Sequence, residues 1–228
     1  MQAVVLAGGA GTRLRPLTLD VPKPMIDING KPFLLYIIEE LKKNGIRDFV
    51  LCVGYLAEKF RDYFGDGSKF GVRISYSVEK EFLGTAGAIK LAEEFIRDDF
   101  FVINGDTYLD IDYGDVYRKF KESRKMGLMV VYDNREKIAE ENIAIDDKEM
   151  VIAYGKKEPL KKGDQLIQLE AKTGMDYRYV DAGVYIFRKE LLDLIGGGKF
   201  VSLEGDIYPE LIKRRELKAY ATGHRYYD

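Results

Sequence analysis

Residues 2 to 24 constrain the fold more than any other stretch. Val4-Val5-Leu6-Ala7 is an apolar, uncharged, partly β-branched run, which reads as a strand buried on both faces and so as part of a parallel sheet covered by helices. Gly8-Gly9-Ala10-Gly11 follows at once. With few Cβ atoms in the way and positive φ cheap at glycine, such a turn lets backbone N–H groups surround an anion. Two widespread phosphate loops do not fit. A dinucleotide fingerprint read from Gly9 needs Gly or Ala where Leu14 stands, and a P-loop read from Gly8 needs Gly-Lys-Ser/Thr where Arg13 begins. What stands there instead is an arginine at the loop's end and then Lys23 between Pro22 and Pro24. Proline fixes φ and restricts its predecessor, so Lys23 is aimed from a stiff segment at little entropic cost.

The 228 residues suffice for one large α/β domain. Thirty-six basic and 38 acidic residues leave a net charge of -2, which gives no reason to expect a nucleic-acid or anionic-membrane surface. With a single histidine, His224, and a single cysteine, Cys52, there is little material for Ser-His-Asp chemistry, zinc clusters or an internal disulfide. Cys52 itself reads as a core residue of the strand Phe49 to Val53. The chemistry must fall to Asp, Lys and Arg. The N-terminus lacks the pattern of a signal peptide and no window approaches 18 apolar residues, so the chain is expected to be cytoplasmic and without a membrane partner.

Along the first half, apolar strands alternate with helical patterns. Lys31 to Lys43 is amphipathic and stops at Asn44-Gly45; Phe49 to Val53 is a strand, Ala57 to Phe64 a helix, Val72 to Ser77 a strand, Gly84 to Ile96 a helix and Phe100 to Ile103 a strand. This β-α-β-α-β-α-β order predicts a doubly wound, Rossmann-like, mostly parallel sheet, whose ligands sit outside the carboxyl ends of the strands. The glycine loop, Gly54-Tyr55, Glu79 with Gly84-Thr85, and Gly105-Asp106 all fall at those ends. From Tyr113 the texture changes to a helix (Tyr113 to Lys125) and shorter strands at Leu128 to Tyr132, Ile143 to Ile145, Met150 to Tyr154, Leu166 to Leu169 and Val184 to Phe187, then a helix over Leu203 to Lys213. The second half is therefore expected to add a mixed or antiparallel portion, with Lys156 to Asp164 as its most loop-like piece. The reading is one domain over 1–228, with a first half (1–112) that carries the glycine loop and a second half (113–228) of mixed texture.

Asn104-Gly105-Asp106 follows an apolar strand, so the Asp106 carboxylate emerges at the rim that also carries the phosphate loop. Mg²⁺ prefers one or two carboxylates together with substrate phosphates, and Asp106 suits that role.

Leu6-Ala7-Gly8-Gly9-Ala10-Gly11-Thr12-Arg13-Leu14-Arg15-Pro16-Leu17-Thr18, followed by Val21-Pro22-Lys23-Pro24-Met25, resembles the signature of the sugar-1-phosphate nucleotidyltransferases. The resemblance implies the nucleotide-diphospho-sugar transferase fold, a nucleoside triphosphate and a sugar 1-phosphate as partners, and Mg²⁺ as cofactor; a homodimer is allowed. It implies catalytic roles for Arg13, Lys23 and Asp106. Nucleotide contacts are expected from Leu6, Ala7, Gly8, Gly9, Gly11, Thr12, Arg13, Lys23, Gly54, Gly84, Thr85 and Gly105. A lysine for the sugar phosphate belongs after the strand Met150 to Tyr154, where Tyr154-Gly155-Lys156-Lys157-Glu158-Pro159 departs from the family's Glu-Lys-Pro and leaves Lys156 and Lys157 as candidates, Lys156 favoured. Val180-Asp181-Ala182-Gly183 matches the segment that binds sugar hydroxyls, through Asp181 and the backbone at Gly183. His224-Arg225-Tyr226-Tyr227-Asp228 resembles an aromatic strand delivering a second metal carboxylate, Asp228, next to Asp106.

The reaction implied is in-line attack of a sugar 1-phosphate oxygen on the α-phosphorus of the triphosphate. Glu81 to Ile89 is most similar to guanylyltransferases acting on mannose or heptose 1-phosphates, so GTP is favoured. A UTP- or dTTP-dependent enzyme for glucose, N-acetylhexosamine or MurNAc phosphates is the alternative. A non-catalytic sugar-nucleotide sensor would be expected to lose Arg13, Lys23 or Asp106, and a phosphocholine cytidylyltransferase to lose Asp181-Ala182-Gly183; the sequence keeps all of these.

Overall fold

The computed structural model of the chain describes residues 1–162, 165–169 and 176–227, with the backbone alone for 156–162 and 165–169. In chain order, β1 (Gln2–Ala7) is followed by a small hairpin of β2 (Asp27–Ile28) and β3 (Lys31–Pro32), then α1 (Phe33–Lys43), β4 (Asp48–Val53), α2 (Ala57–Phe64), β5 (Arg73–Val78), α3 (Gly84–Leu91), β6 (Phe100–Asn104), β7 (Tyr108–Leu109) and α4 (Tyr113–Ser123). The second half adds β8 (Gly127–Asp133), β9 (Ile143–Ile145), β10 (Val151–Tyr154), β11 (Lys156–Lys162), β12 (Gln165–Leu169), β13 (Tyr179–Phe187), α5 (Tyr208–Arg214), β14 (Leu217–Thr222) and β15 (Tyr226–Tyr227).

One mixed sheet runs through both halves. Its first-half side has the order β5-β4-β1-β6, all parallel, and β13 then continues it antiparallel to β6. On the far side of β13, β8 pairs antiparallel, β14 pairs parallel to β8, and β9 with β10 extends another branch. The uninterrupted apolar run of β1 is explained by its two covers. Ala3, Val5 and Ala7 pack with α1, α2 and α4 on one face, while Val4 packs with α3 on the other. From Ala3 to Val5 both faces of that strand are core, so a polar side chain there would lose its water with nothing to replace it.

Local departures from the expected elements have tertiary causes. The third helix ends at Leu91 and a 3-10 turn, Glu93–Phe95, follows; Gln2 ties the chain there, its amide donating to Phe95 O (2.9 Å) and accepting from Arg97 N (3.3 Å). The helix expected over Leu203 to Lys213 opens with a π turn, Leu203–Ile207, before α5. Lys156 to Lys162, expected to be loop, is a strand paired antiparallel with Gln165–Leu169. Its charge-rich sequence carries no strand pattern, and pairing supplies the extended form.

Candidate active site

The carboxyl ends of β1, β4, β5 and β6 open into one cavity with two connected lobes. Leu6, Ala7, Gly8, Gly9, Gly11, Lys23, Gly84, Thr85 and Asp106 line one lobe, with Cys52 and Ala88 beside them. Gly54 and Tyr55 line the other, and Gly8, Gly9, Glu79 and Phe82 belong to both. Of the expected nucleotide contacts, Thr12 and Arg13 sit on a short 3-10 turn just past the loop rather than in the lining. Gly105 stands behind the wall, where its N–H donates to Leu6 O (2.9 Å) and an added Cβ would come within 2.8 Å of that same oxygen.

Backbone economy explains the glycine loop. Gly11 has φ 57°, and its carbonyl accepts from Thr18 Oγ1 at 2.9 Å, which folds the following segment back so that Lys23 lies beside the loop. At Gly8 the reason is a neighbour: a Cβ there would fall 2.3 Å from Glu79 Oε1. That carboxylate is held on its other oxygen by Leu83 N–H (2.9 Å), closing the loop between β5 and α3. Burial holds the Glu79 carboxyl above its ordinary range, opposed by the Leu83 hydrogen bond. Oε1 has no hydrogen-bond partner among the described residues.

Lys23 and Asp106 are brought together as expected, and they touch: Lys23 Nζ donates to Asp106 Oδ2 at 3.0 Å. Cys52 lies on the cavity floor, its thiol donating to Ala88 O (3.5 Å) and pushed up by burial to an unreactive range.

Thr85 does not cap α3. Its hydroxyl donates to Glu204 Oε2 (2.9 Å) and accepts from Leu203 N (2.7 Å), tying the nucleotide half to the π turn in the second half. Ala86 N and Gly87 N both donate to Val201 O at 3.0 Å, so these helix-start amides are already engaged. Glu204 is a cavity residue that sequence reading missed. The available signal was Ser202, whose hydroxyl accepts from Gly205 N (3.1 Å) in the manner of a helix cap and also donates to Glu204 Oε2 (2.8 Å).

In the second half, a bulge in β13 puts Gly183 at φ 68° against Thr107 and Asn104. The Asp181 carboxylate accepts from Gly183 N (2.9 Å), from Tyr185 OH (2.7 and 2.8 Å) and from Tyr154 OH (3.2 Å). Burial and then Asp181's charge push both phenols well above 10, so they stay protonated donors. Asp181 thus shapes the bulge that sets the backbone against Thr107 and the cavity residue Asn104, while Asp181 and Gly183 themselves stand outside the cavity lining. Lys156 and Lys157 lie at the start of β11, and their side chains lie outside the described residues, as does Asp228. Tyr227 pairs with Tyr108, close in sequence to Asp106. Among the described residues no three His, Cys, Asp or Glu side chains form a metal cage. One carboxylate beside a phosphate loop is nonetheless a donor set that suits Mg²⁺ bound together with phosphates. No helix of the described residues is long and apolar enough to cross a membrane.

Comparison with known proteins shows the family. The Nucleotidyl transferase family pattern matches residues 2–227. D-glycero-alpha-D-manno-heptose 1-phosphate guanylyltransferase from Campylobacter jejuni is 37% identical over 193 residues, covering 85% of this chain and 78% of that protein. UTP–glucose-1-phosphate uridylyltransferase from Synechocystis is 31% identical over 226 residues, covering 93% of this chain but only 55% of its own length. Among solved structures, HddC from Yersinia pseudotuberculosis complexed with GMP-PN superposes with a TM-score of 0.73 at 30% identity, covering 100% of this chain and 92% of that one. The chain belongs to the sugar-1-phosphate nucleotidyltransferase family, on the nucleotide-diphospho-sugar transferase fold.

Proposed function

We propose that the chain transfers a guanylyl group from GTP to a mannose- or heptose-type sugar 1-phosphate, giving the GDP-sugar and pyrophosphate with Mg²⁺ as cofactor. The observation that carries the choice of base is Glu79, a half-buried carboxylate beside the glycine loop with one oxygen unpartnered among the described residues. Guanine alone among the common bases presents two adjacent N–H donors, N1–H and N2–H₂, which a carboxylate accepts together. Uracil and thymine present one N–H flanked by carbonyls, which would meet a carboxylate oxygen with repulsion. The guanylyltransferase relative and the nucleotide-bound solved structure support the same reading.

A phosphate oxygen of the sugar 1-phosphate attacks the α-phosphorus, a new P–O bond forms, and the bond between the α-phosphorus and the bridging oxygen breaks as pyrophosphate departs. The nucleophile is already ionised, so no general base is required, and positioning with charge neutralisation carries the rate. The glycine-loop amides and Arg13 take the departing phosphates, Lys23 the α-phosphate, and Lys156 or Lys157 the attacking phosphate. Asp106, joined by Asp228, would hold Mg²⁺, which supplies neutralisation of phosphate charge. Backbone at Ala182-Gly183, set by Asp181, faces the sugar.

The test is pyrophosphate release over a grid of GTP, ATP, UTP, dTTP and CTP against mannose, heptose, glucose and N-acetylglucosamine 1-phosphates. GTP is expected to lead. UTP or dTTP preferred by more than about tenfold overturns the guanylyl assignment in favour of the uridylyl or thymidylyl alternative.

A further inference from the structure

Phe82 is 64% exposed, an unusual setting for a phenylalanine in a well-packed protein. Of the exposed large hydrophobic side chains among the described residues, Phe82 alone lines the cavity, and it does so where the two lobes meet. Its place is built. The Leu83 N–H to Glu79 hydrogen bond closes the loop from β5 to α3 immediately after Phe82, and Gly84 turns the chain at φ 74° into the helix. Phe200 supports the ring at a centroid distance of 5.6 Å with planes 55° apart. A tilted contact of that kind covers an edge and leaves ring face uncovered, in keeping with the exposure. Phe200 is itself tied down, since the next residue, Val201, donates to Leu83 O (2.9 Å) and accepts from Ala86 and Gly87 N–H.

We propose that Phe82 is the stacking platform for the nucleotide base, its ring covering one face of the base. Burial of the chain's own atoms does not explain an aromatic at this rim, whereas a flat π-system laid against it would be held at the mouth of the cavity, and a purine offers more face than a pyrimidine. The proposal rests on the nucleotidyl-transfer reading of the cavity but not on which base is used.

The chain contains no tryptophan, so Phe82→Trp installs a single reporter at the site. Titration of that variant with each of the five triphosphates, without sugar 1-phosphate, reads stacking directly as fluorescence quenching. GTP is expected to quench by more than about half, at concentrations near its KM, because a stacked base couples to the indole ring. In steady-state assays, Phe82→Ala is expected to raise the triphosphate KM about 10- to 100-fold, with kcat within about threefold and the sugar 1-phosphate KM within about twofold. Phe82→Tyr, which keeps the ring, should restore the KM. If no triphosphate that the enzyme turns over quenches the indole of the Phe82→Trp variant, or if Phe82→Ala leaves the KM unchanged, the platform is overturned even with GTP as substrate. If a pyrimidine triphosphate is the one turned over and it quenches, the platform stands and the GTP assignment falls.

Discussion

Lys23 Nζ lies 3.0 Å from Asp106 Oδ2, so the group expected to meet the α-phosphate and the group expected to meet the metal hold each other. Both side chains are partly exposed, at 30% and 40%, and an ion pair in that setting is worth about 1 kcal/mol or less. Phosphate and Mg²⁺ can therefore open it at small cost. Lys23→Ala and Arg13→Ala are each expected to cut turnover by roughly 10²-fold or more, as loss of a transition-state charge partner does. A fall under about threefold in pyrophosphate release would remove either residue from the chemistry. Nucleotide-free Lys23→Met should also bind Mn²⁺ more tightly than the parent by electron paramagnetic resonance, since Asp106 is then unopposed.

Glu79 ties stability to pH with a definite sign. Burial raises its carboxyl above the ordinary 4.5, so its contribution to folding is most favourable below that value and is lost as pH rises through the raised one. Glu79→Gln keeps an acceptor for Leu83 N–H but never charges. The variant is expected to melt above the parent at pH 7, with the difference fading below pH 4.5. Its KM for GTP should rise about tenfold or more, because the amide cannot accept from two base N–H groups together. A variant with parent-like KM for GTP would separate Glu79 from base reading.

Thr85 joins halves of the chain 118 and 119 residues apart through Leu203 N and Glu204 Oε2. Thr85→Val keeps the shape, strands Leu203 N–H and leaves Glu204 Oε2 with Ser202 Oγ as its remaining donor, at an expected cost of about 1–3 kcal/mol, or roughly 2–10 °C in Tm for a domain of this size. Gly84→Ala should cost more, because φ is 74° and a Cβ would stand 2.6 Å from Val201 O. Calorimetry showing Thr85→Val with an unchanged Tm would mean that the seam carries no stability.

The pairing of Tyr226-Tyr227 with Tyr108-Leu109 directs the end of the chain toward the strand that follows Asp106. Asp228→Asn is expected to raise the Mg²⁺ concentration needed for half-maximal rate and to lower turnover sharply, and Asp106→Asn to do so more severely. Unchanged Mg²⁺ dependence in Asp228→Asn would leave Asp106 as the sole protein ligand on offer.

The sequence by itself determined the strand and glycine loop at residues 2–11, the alternation through Asp106, and the meeting of Lys23 with Asp106 at one sheet edge. These follow from local rules: a strand covered on both faces is apolar where it is covered, glycine takes the positive φ at Gly11 without strain, and parallel topology gathers strand ends on one side. Tertiary structure alone decided the rest. The charged segment Lys156–Lys162 is a strand only because a partner strand pairs with it, Asp181 is saturated by Tyr154, Tyr185 and Gly183, and Glu204 enters the cavity wall by reaching Thr85. No periodicity encodes such partners, because a hydrogen bond spanning more than a hundred residues depends on how the sheet is wound and not on what stands next in the chain.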